Sequence, residues 1–266
     1  MKKYNTIGKG SIERGVNGGN DKYYTKQFIA DYYSNVILER FGNGVKYIEP
    51  TAGDGAFMNI LPNIIGYDLK PERDDIIQMD IFKNTNFDKN SVVVGNPPFG
   101  MSASFAQKIF NYLAGFEVKG ICFIVPKTFK KVSLQNKLSC EYSVTFEQDV
   151  MSNAFTVDGI NKDVPCVFQI WERRKRKIIE DEPCEWLDFK NTPNVCVRRV
   201  GGKAGKVLIG MNHNTNTTYF IHAKNEKVIK ALKLMSLKDI DNTAGVRSIS
   251  MQEICKEVNK VMEVLK

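Results

Sequence analysis

Histidine is nearly absent from this 266-residue chain: His213 and His222 are the only two. The six cysteines stand at 122, 140, 166, 184, 196 and 255, and no two form a Cys-x-x-Cys pair. A zinc module needs closely spaced Cys and His ligands, so this pattern argues against a metal site. The cysteines read as reduced core or surface thiols, and the histidines as surface or structural residues. Long apolar runs are also missing. No stretch approaches the ~18 residues needed to cross a bilayer. The opening Met1-Lys2-Lys3-Tyr4-Asn5-Thr6 lacks the apolar stretch of a signal peptide. The expected location is therefore cytoplasmic (or the nucleoid or host cytoplasm, for a chain of phage or viral origin), with no membrane partner.

Positive charge is what the chain has in surplus. Lys and Arg total 38 against 30 Asp and Glu, giving a net charge of +8 and a pI near 9.0. Such a balance favours a polyanionic partner, because Lys and Arg displace counterions from phosphates. Hydrophobic residues make up 42% and aromatics 11%, enough for a packed core rather than a disordered chain. The length suits one large domain, or one domain with a small appendage.

Short apolar runs alternate with helical patterns. Residues 1–20 are rich in Gly, Asn and Lys and read as a flexible arm. A helix is expected from Lys26 to Phe41, with Ile29, Tyr32, Tyr33, Val36 and Ile37 on one face. Strands are expected at Val45–Ile48, Ile64–Tyr67, Ile76–Met79, Ser91–Val94, Gly120–Val125 and Val164–Trp171, and a helix is expected to begin over Ala56–Leu61. Ser102 is the expected cap of a helix with Phe105, Ala106, Ile109, Phe110 and Leu113 inside. Alternation of this kind predicts an α/β fold with a doubly wound, mostly parallel sheet. The run Arg173-Arg174-Lys175-Arg176-Lys177 marks a boundary, or simply a solvated strand end. Beyond it, from about residue 178, a small α+β extension is expected. It has a hairpin from Val195–Val200 to Val207–Ile209 with a basic, Gly-rich tip. Two helices follow, the last opened by a capping box of Ser250 and Glu253.

Two motifs carry chemistry. The first is Glu49-Pro50-Thr51-Ala52-Gly53-Asp54-Gly55, where Gly53 and Gly55 permit a tight turn from strand to helix. It has two glycines, not the three of a dinucleotide fingerprint, and no Gly-Lys-Ser/Thr of a P-loop. An acid opening the turn disfavours a phosphate and suits a cationic ligand. Asp68 and Asp80 close the next two strands; either alone reads better as a helix cap or loop carboxylate, and it is three acids at successive strand ends that point to a ligand. The second motif is Asn96-Pro97-Pro98-Phe99, directly after Val92-Val93-Val94. The prolines end the strand where α/β sheets bind ligands. An amide oxygen, a rigid carbonyl and an aromatic face converge there, a set suited to a planar heterocycle bearing an amino group.

In this order the elements resemble the Class I S-adenosylmethionine-dependent methyltransferases, specifically the adenine-N6 group with an Asn-Pro-Pro-Phe site. The resemblance covers about residues 20–172. It implies that Glu49, Thr51, Gly53, Gly55, Asp68, Asp80 and Ile81 hold S-adenosyl-L-methionine, and that Asn96, Pro97, Pro98 and Phe99 form the catalytic site, with Asn96 also at the cofactor. Asp21-Lys22-Tyr23-Tyr24-Thr25 resembles that group's N-terminal cofactor motif, adding Tyr24 and Thr25; Lys26 stands where the motif usually has Pro. Ile124 to Phe129 resembles a motif lining the base pocket. The catalytic domain would span 21–177 and a recognition segment 178–266.

The implied activity is methyl transfer to N6 of adenine in DNA. The nucleic acid would be held by Lys127 and by Arg198, Arg199, Lys203 and Lys206 of the hairpin. Alternatives are adenine methylation in RNA, including a cap-adjacent adenosine, methylation of a protein glutamine amide, and an inactive nucleic-acid-binding relative.

Overall fold

The computed structural model describes residues 22–180, 184–237, 241–243 and 246–265. The arm expected over residues 1–20 lies outside them. The chain divides after Ile178 into two compact units, each with its own core.

The first unit opens with β1 (Tyr24–Thr25) and α1 (Gln27–Phe41), then β2 (Lys46–Glu49), β3 (Ile65–Asp68), β4 (Ile77–Gln78) and β5 (Ser91–Gly95). It continues with α2 (Ser104–Ala114), β6 (Gly120–Pro126), the single turn α3 (Val132–Gln135), β7 (Ser143–Asp149), β8 (Phe155–Val157), β9 (Ile160–Lys162) and β10 (Cys166–Glu172). The central sheet runs β4-β3-β2-β5-β6-β10-β7. Its first five strands are parallel; β10 pairs antiparallel with β6 on one side and with the edge strand β7 on the other. The expected mixed α/β fold with a mostly parallel sheet is present.

Alternation explains how both faces are covered. Val93, Ile121 and Val167 face α2, whose Ala106, Ile109, Phe110 and Leu113 are fully buried. Val92, Val94, Cys122 and Ile124 face α1, through Ile29, Ala30, Tyr33 and Ile37. Burying each such side chain is worth about 1.5–3 kcal/mol. A one-residue slip of β5 would exchange the two sets, so its register is fixed.

Several expectations shift. In α1, Ala30 and Ser34 are buried while Tyr32 is 44% exposed, so the inner stripe is narrower than the aromatic pattern suggested. Ala56–Leu61 yields only the 3₁₀ turn Ala56–Asn59; Pro62 disfavours helical backbone at the residue before it. Ser102 does not cap α2. It has φ 53, Ala103 has φ 61, and the helix starts at Ser104. The N–H groups of Phe105 and Ala106 instead donate to the Phe99 carbonyl, at 3.1 and 3.3 Å. The end of the Asn-Pro-Pro-Phe segment is thereby tied to the first turn of α2.

The second unit has β11 (Leu187–Asp188), β12 (Val195–Arg198), β13 (Val207–Leu208), β14 (Thr218–Ala223), α4 (Glu226–Leu234) and α5 (Met251–Val264). Its sheet order is β11-β14-β12-β13. The expected hairpin is β12 against β13, antiparallel. The capping box is formed, with Ser250 Oγ accepting from the Glu253 N–H and Glu253 Oε2 accepting from the Ser250 N–H. The thiol expectation is overturned at one pair: Cys184 and Cys255 are disulfide-bonded, with Cα atoms 5.3 Å apart. Their 71-residue separation hides the pairing from any reading of local spacing. Cys122, Cys140, Cys166 and Cys196 are free. Among the described residues no helix is long and apolar enough to cross a membrane.

Candidate functional site

Chain order fixes where a ligand can bind. After β2 the chain adds β3 and β4 on one side, then returns to place β5 on the other. The strand order reverses between β2 and β5, which opens a crevice at their carboxyl ends. Glu49 ends β2, and Gly95-Asn96 lead out of β5. Gly95, at φ 139, leaves room for the Glu49 side chain: a Cβ there would lie 3.4 Å from Glu49 Cγ and Oε1. A cavity of about 250 Å³ occupies this place.

The cavity gathers Tyr24, Thr25, Glu49, Thr51, Gly53, Asp68, Asp80, Ile81, Asn96, Pro97, Pro98 and Phe99. Of the residues expected at the cofactor, Gly55 is absent from its wall. Gly55 sits at φ 76 behind the turn, where a Cβ would meet Arg73 Nη1 at 2.9 Å. Arg73 Nη1 donates to the Gly55 carbonyl at 3.1 Å. The second glycine therefore shapes the turn, while Gly53 faces open space.

The acids differ in surroundings. Glu49 is 3% exposed. Burial pushes its carboxyl well above the usual carboxylate range, and the nearby Asp54 and Asp68 add to this; a backbone N–H bond from Phe57 and the Arg73 charge oppose it. Asp54 is also raised, chiefly by burial. Asp68 takes the Gly53 N–H on Oδ2 and the Lys70 N–H on Oδ1, both at 2.8 Å. Asp80 Oδ1 accepts from the Phe82 N–H at 3.0 Å and so caps the turn Ile81–Lys83.

Asn96 is oriented by the main chain. Its Nδ2 donates to the Tyr23 carbonyl at 2.9 Å. A carbonyl accepts only, so the amide must present its NH2 to Tyr23. The opposite end, Oδ1, is buried and has no hydrogen-bond partner. Three other cavity residues share that condition, at Thr25 Oγ1, Glu49 Oε2 and Thr51 Oγ1. Buried polar atoms are nearly always paired. Four unpaired ones around one cavity mark a place where a polar ligand belongs. The Phe99 ring is stacked on Tyr23, with centroids 6.2 Å apart and planes at 18°.

Some wall residues carried no functional signal in sequence. Phe105 reads as a core residue at helical spacing, yet it lines the cavity with Met79 and Phe82, and its ring meets Phe82 edge-on at 5.8 Å. Lys22 and Tyr23, which belong to the segment resembling the N-terminal cofactor motif, also line the cavity, and β1 pairs with β8. The hairpin β8–β9 has a sequence signal of its own in Asp158-Gly159, a two-residue turn pattern. Both residues have positive φ, at 51 and 75.

The basic residues separate into two kinds. Lys127 is outside the cavity wall and pairs with Asp149 at 3.1 Å, its side chain 12% exposed. In the charge run, Arg173 pairs with Glu117, and Arg176 Nε donates to the Tyr142 carbonyl at 3.0 Å. In the second unit Arg198 folds back onto the Val200 carbonyl and Thr217 Oγ1, at 3.2 and 3.1 Å. Arg199 lies 5.6 Å from the centre of the Tyr219 ring. Lys203 and Lys206 project into solvent. His213 and His222 contact the carbonyls of Ile209 and Thr192, as structural residues do.

No protein-family model and no curated protein matches this chain. Solved structures share its backbone arrangement in part. A modification subunit assigned to a type I restriction enzyme of Vibrio vulnificus YJ016 aligns at TM-score 0.45 and 14% identity, over 61% of this chain and 46% of that one. A protein of Pyrococcus horikoshii assigned as an RNA methyltransferase aligns at 0.46 and 12%, over 63% of this chain and 100% of that one. The M. jannaschii tRNA m1G37 methyltransferase aligns at 0.42 and 18%, over 58% and 52%. The chain thus spans about half the length of the first and third.

Proposed function

We propose that this chain is an S-adenosyl-L-methionine-dependent methyltransferase acting on N6 of adenine in DNA. The observation that carries the reading is Asn96, whose amide is held by Tyr23 so that a desolvated, unpaired oxygen is left at the cavity. An amino group with two N–H bonds is what such an acceptor lacks. Asn96 is followed by Pro97, Pro98 and Phe99, and all three line the same cavity.

The donor set fits the cofactor. Glu49 Oε2 is buried and unpaired, and a cationic ligand beside it would favour the ionised carboxylate. Thr25 and Thr51 offer free hydroxyls, and Asp68 lies at the end of the neighbouring strand, where a nucleoside's ribose would bind. Asp80, Ile81, Phe82 and Phe105 would take the adenine ring. When bound, S-adenosyl-L-methionine supplies a methyl group already activated on a sulfonium. The residues supply proximity and orientation. Asn96 Oδ1 accepts one N–H of the target amine, which draws its lone pair out of conjugation with the ring. Asn has no proton affinity to serve as a base, so its part is orientation. Phe99 stacks the base, which must leave the duplex to reach it. The surplus of positive charge and the order of the motifs support DNA as the substrate.

The test is tritiated-methyl transfer from S-adenosyl-L-methionine onto unmethylated DNA, total RNA and protein in parallel, with nucleoside analysis. The expected product is N6-methyl-2′-deoxyadenosine. Label confined to RNA or to protein glutamine would overturn the substrate, and failure to bind the cofactor would overturn the reading as a whole.

A further inference from the structure

We propose that Glu72 is a positioning residue for Asn96, acting through the strap Lys22–Thr25 that lines the cavity. The inference rests on the role of Asn96 given above. Glu72 is not itself part of the cavity wall, and it bonds wall residues other than Asn96. Its backbone N–H donates to the Gly53 carbonyl at 3.2 Å, which anchors it to the turn after β2. Its Oε1 accepts from the Tyr24 hydroxyl at 2.7 Å and from the Lys22 ammonium. The same ammonium lies 5.0 Å from the centre of the Tyr24 ring.

Between those two anchored residues sits Tyr23, whose carbonyl holds the Asn96 amide. The other restraint on the strap is its two-residue ladder with β8, Tyr24 opposite Thr156 and Thr25 opposite Phe155, continued by Lys26 N–H to the Ala154 carbonyl at 2.9 Å. So short a ladder is weak on its own. The Tyr23 ring also packs against Phe99 and Phe155, at 6.2 and 6.3 Å between centroids. Without Glu72 the Tyr23 carbonyl is less firmly placed, and the Asn96 amide is free to rotate. A flipped amide would point NH2, not oxygen, at the substrate amine. Glu72 thus links the turn that would carry the cofactor to the side chain that would meet the target.

Two readouts test this. The first needs no activity: exchange of the Asn96 side-chain NH2 protons by NMR, the pair being assigned by its loss in Asn96→Ala. The expected result is slow exchange in the wild type, faster exchange in Glu72→Ala, and partial restoration in Glu72→Gln, which still accepts from Tyr24. Unchanged exchange in Glu72→Ala overturns the proposal, whatever the activity. The second is single-turnover methyl transfer to unmethylated DNA, beside calorimetry with S-adenosylhomocysteine. Misplacement of a reacting group costs rate steeply, so Glu72→Ala should lose about tenfold or more in transfer. Affinity for S-adenosylhomocysteine should change far less. A rate that is unchanged or faster, or a loss matched wholly by weaker S-adenosylhomocysteine binding, overturns the proposal. Loosened Asn96 protons in a protein whose wild type transfers no methyl group would retain the strap and remove the methyltransferase reading.

Discussion

The Gly53 N–H donates to Asp68 Oδ2 at 2.8 Å, so the turn after β2 and the acid ending β3 form one unit. Asp68 already commits one oxygen to the turn and the other to Lys70. Asp68→Ala should therefore loosen the turn as well as remove a ribose acceptor. The expected loss in S-adenosylhomocysteine affinity is about 1–3 kcal/mol. Calorimetry on wild type and variant checks it; equal affinity would remove Asp68 from the ligand's partners.

Asn96→Ala should abolish methyl transfer while leaving S-adenosylhomocysteine affinity nearly intact, since the amide oxygen is assigned to the substrate amine. Phe99→Ala should be milder, losing base stacking of roughly 1–3 kcal/mol. Turnover retained by Asn96→Ala would show that the catalytic group lies elsewhere.

Glu49 makes stability depend on pH. Its carboxyl is raised above the ordinary 4.5 by burial and by Asp54 and Asp68. A folded-state value above the unfolded one favours folding below about 4.5, and that contribution is lost as pH climbs through the raised value. Glu49→Gln should flatten this slope, which melting temperatures across pH will show. Pairing with a cationic ligand would also drive off the Glu49 proton. Cofactor affinity should then rise with pH, and calorimetry in buffers of different ionisation heat should register proton release. No release would mean that the cation does not sit at Glu49.

In the second unit the four basic candidates should behave in two ways. Reversing Lys203 and Lys206 should lower the salt slope of DNA binding by roughly one for every phosphate that is no longer neutralised. Arg198→Ala, which breaks bonds to Val200 and Thr217, should instead lower stability. Titrations at several salt concentrations that give the same slope would show that the lysines do not reach phosphate.

Cys184→Ser should destabilise the second unit. Closing a loop of 71 residues removes unfolded-state entropy worth about 4 kcal/mol. Thermal melting of wild type with and without reductant, beside the variant, measures this. A melting curve indifferent to reductant would exclude the bond in solution.

Sequence made the sheet legible because its central strands are buried on both faces. Ser91–Gly95 and Gly120–Pro126 read as continuous apolar runs that nothing else explains. β7 escaped notice because its Ser-Val-Thr-Phe-Glu-Gln-Asp is an edge strand, half-exposed and without clean alternation. Glu49, Asp68 and Asn96 were legible as acids and an amide at strand ends. Glu72 and Phe105 were not, and Tyr23 was legible only as a member of a motif. Tyr23 owes its place to the pairing of β1 with β8, Glu72 to its bond with Gly53, and Phe105 to the irregular turn that ties α2 to the Phe99 carbonyl. Local pattern carries no trace of such pairings.

The unpaired polar atoms of Thr25, Glu49, Thr51 and Asn96 also bear on how long the protein survives in a cell. A ligand that meets these groups binds the folded chain and not the unfolded one, and so stabilises the fold by mass action. Chains deprived of ligand would open more often and meet proteases more often. The amount of this protein would then follow the supply of what fills its cleft, with no dedicated regulator in between.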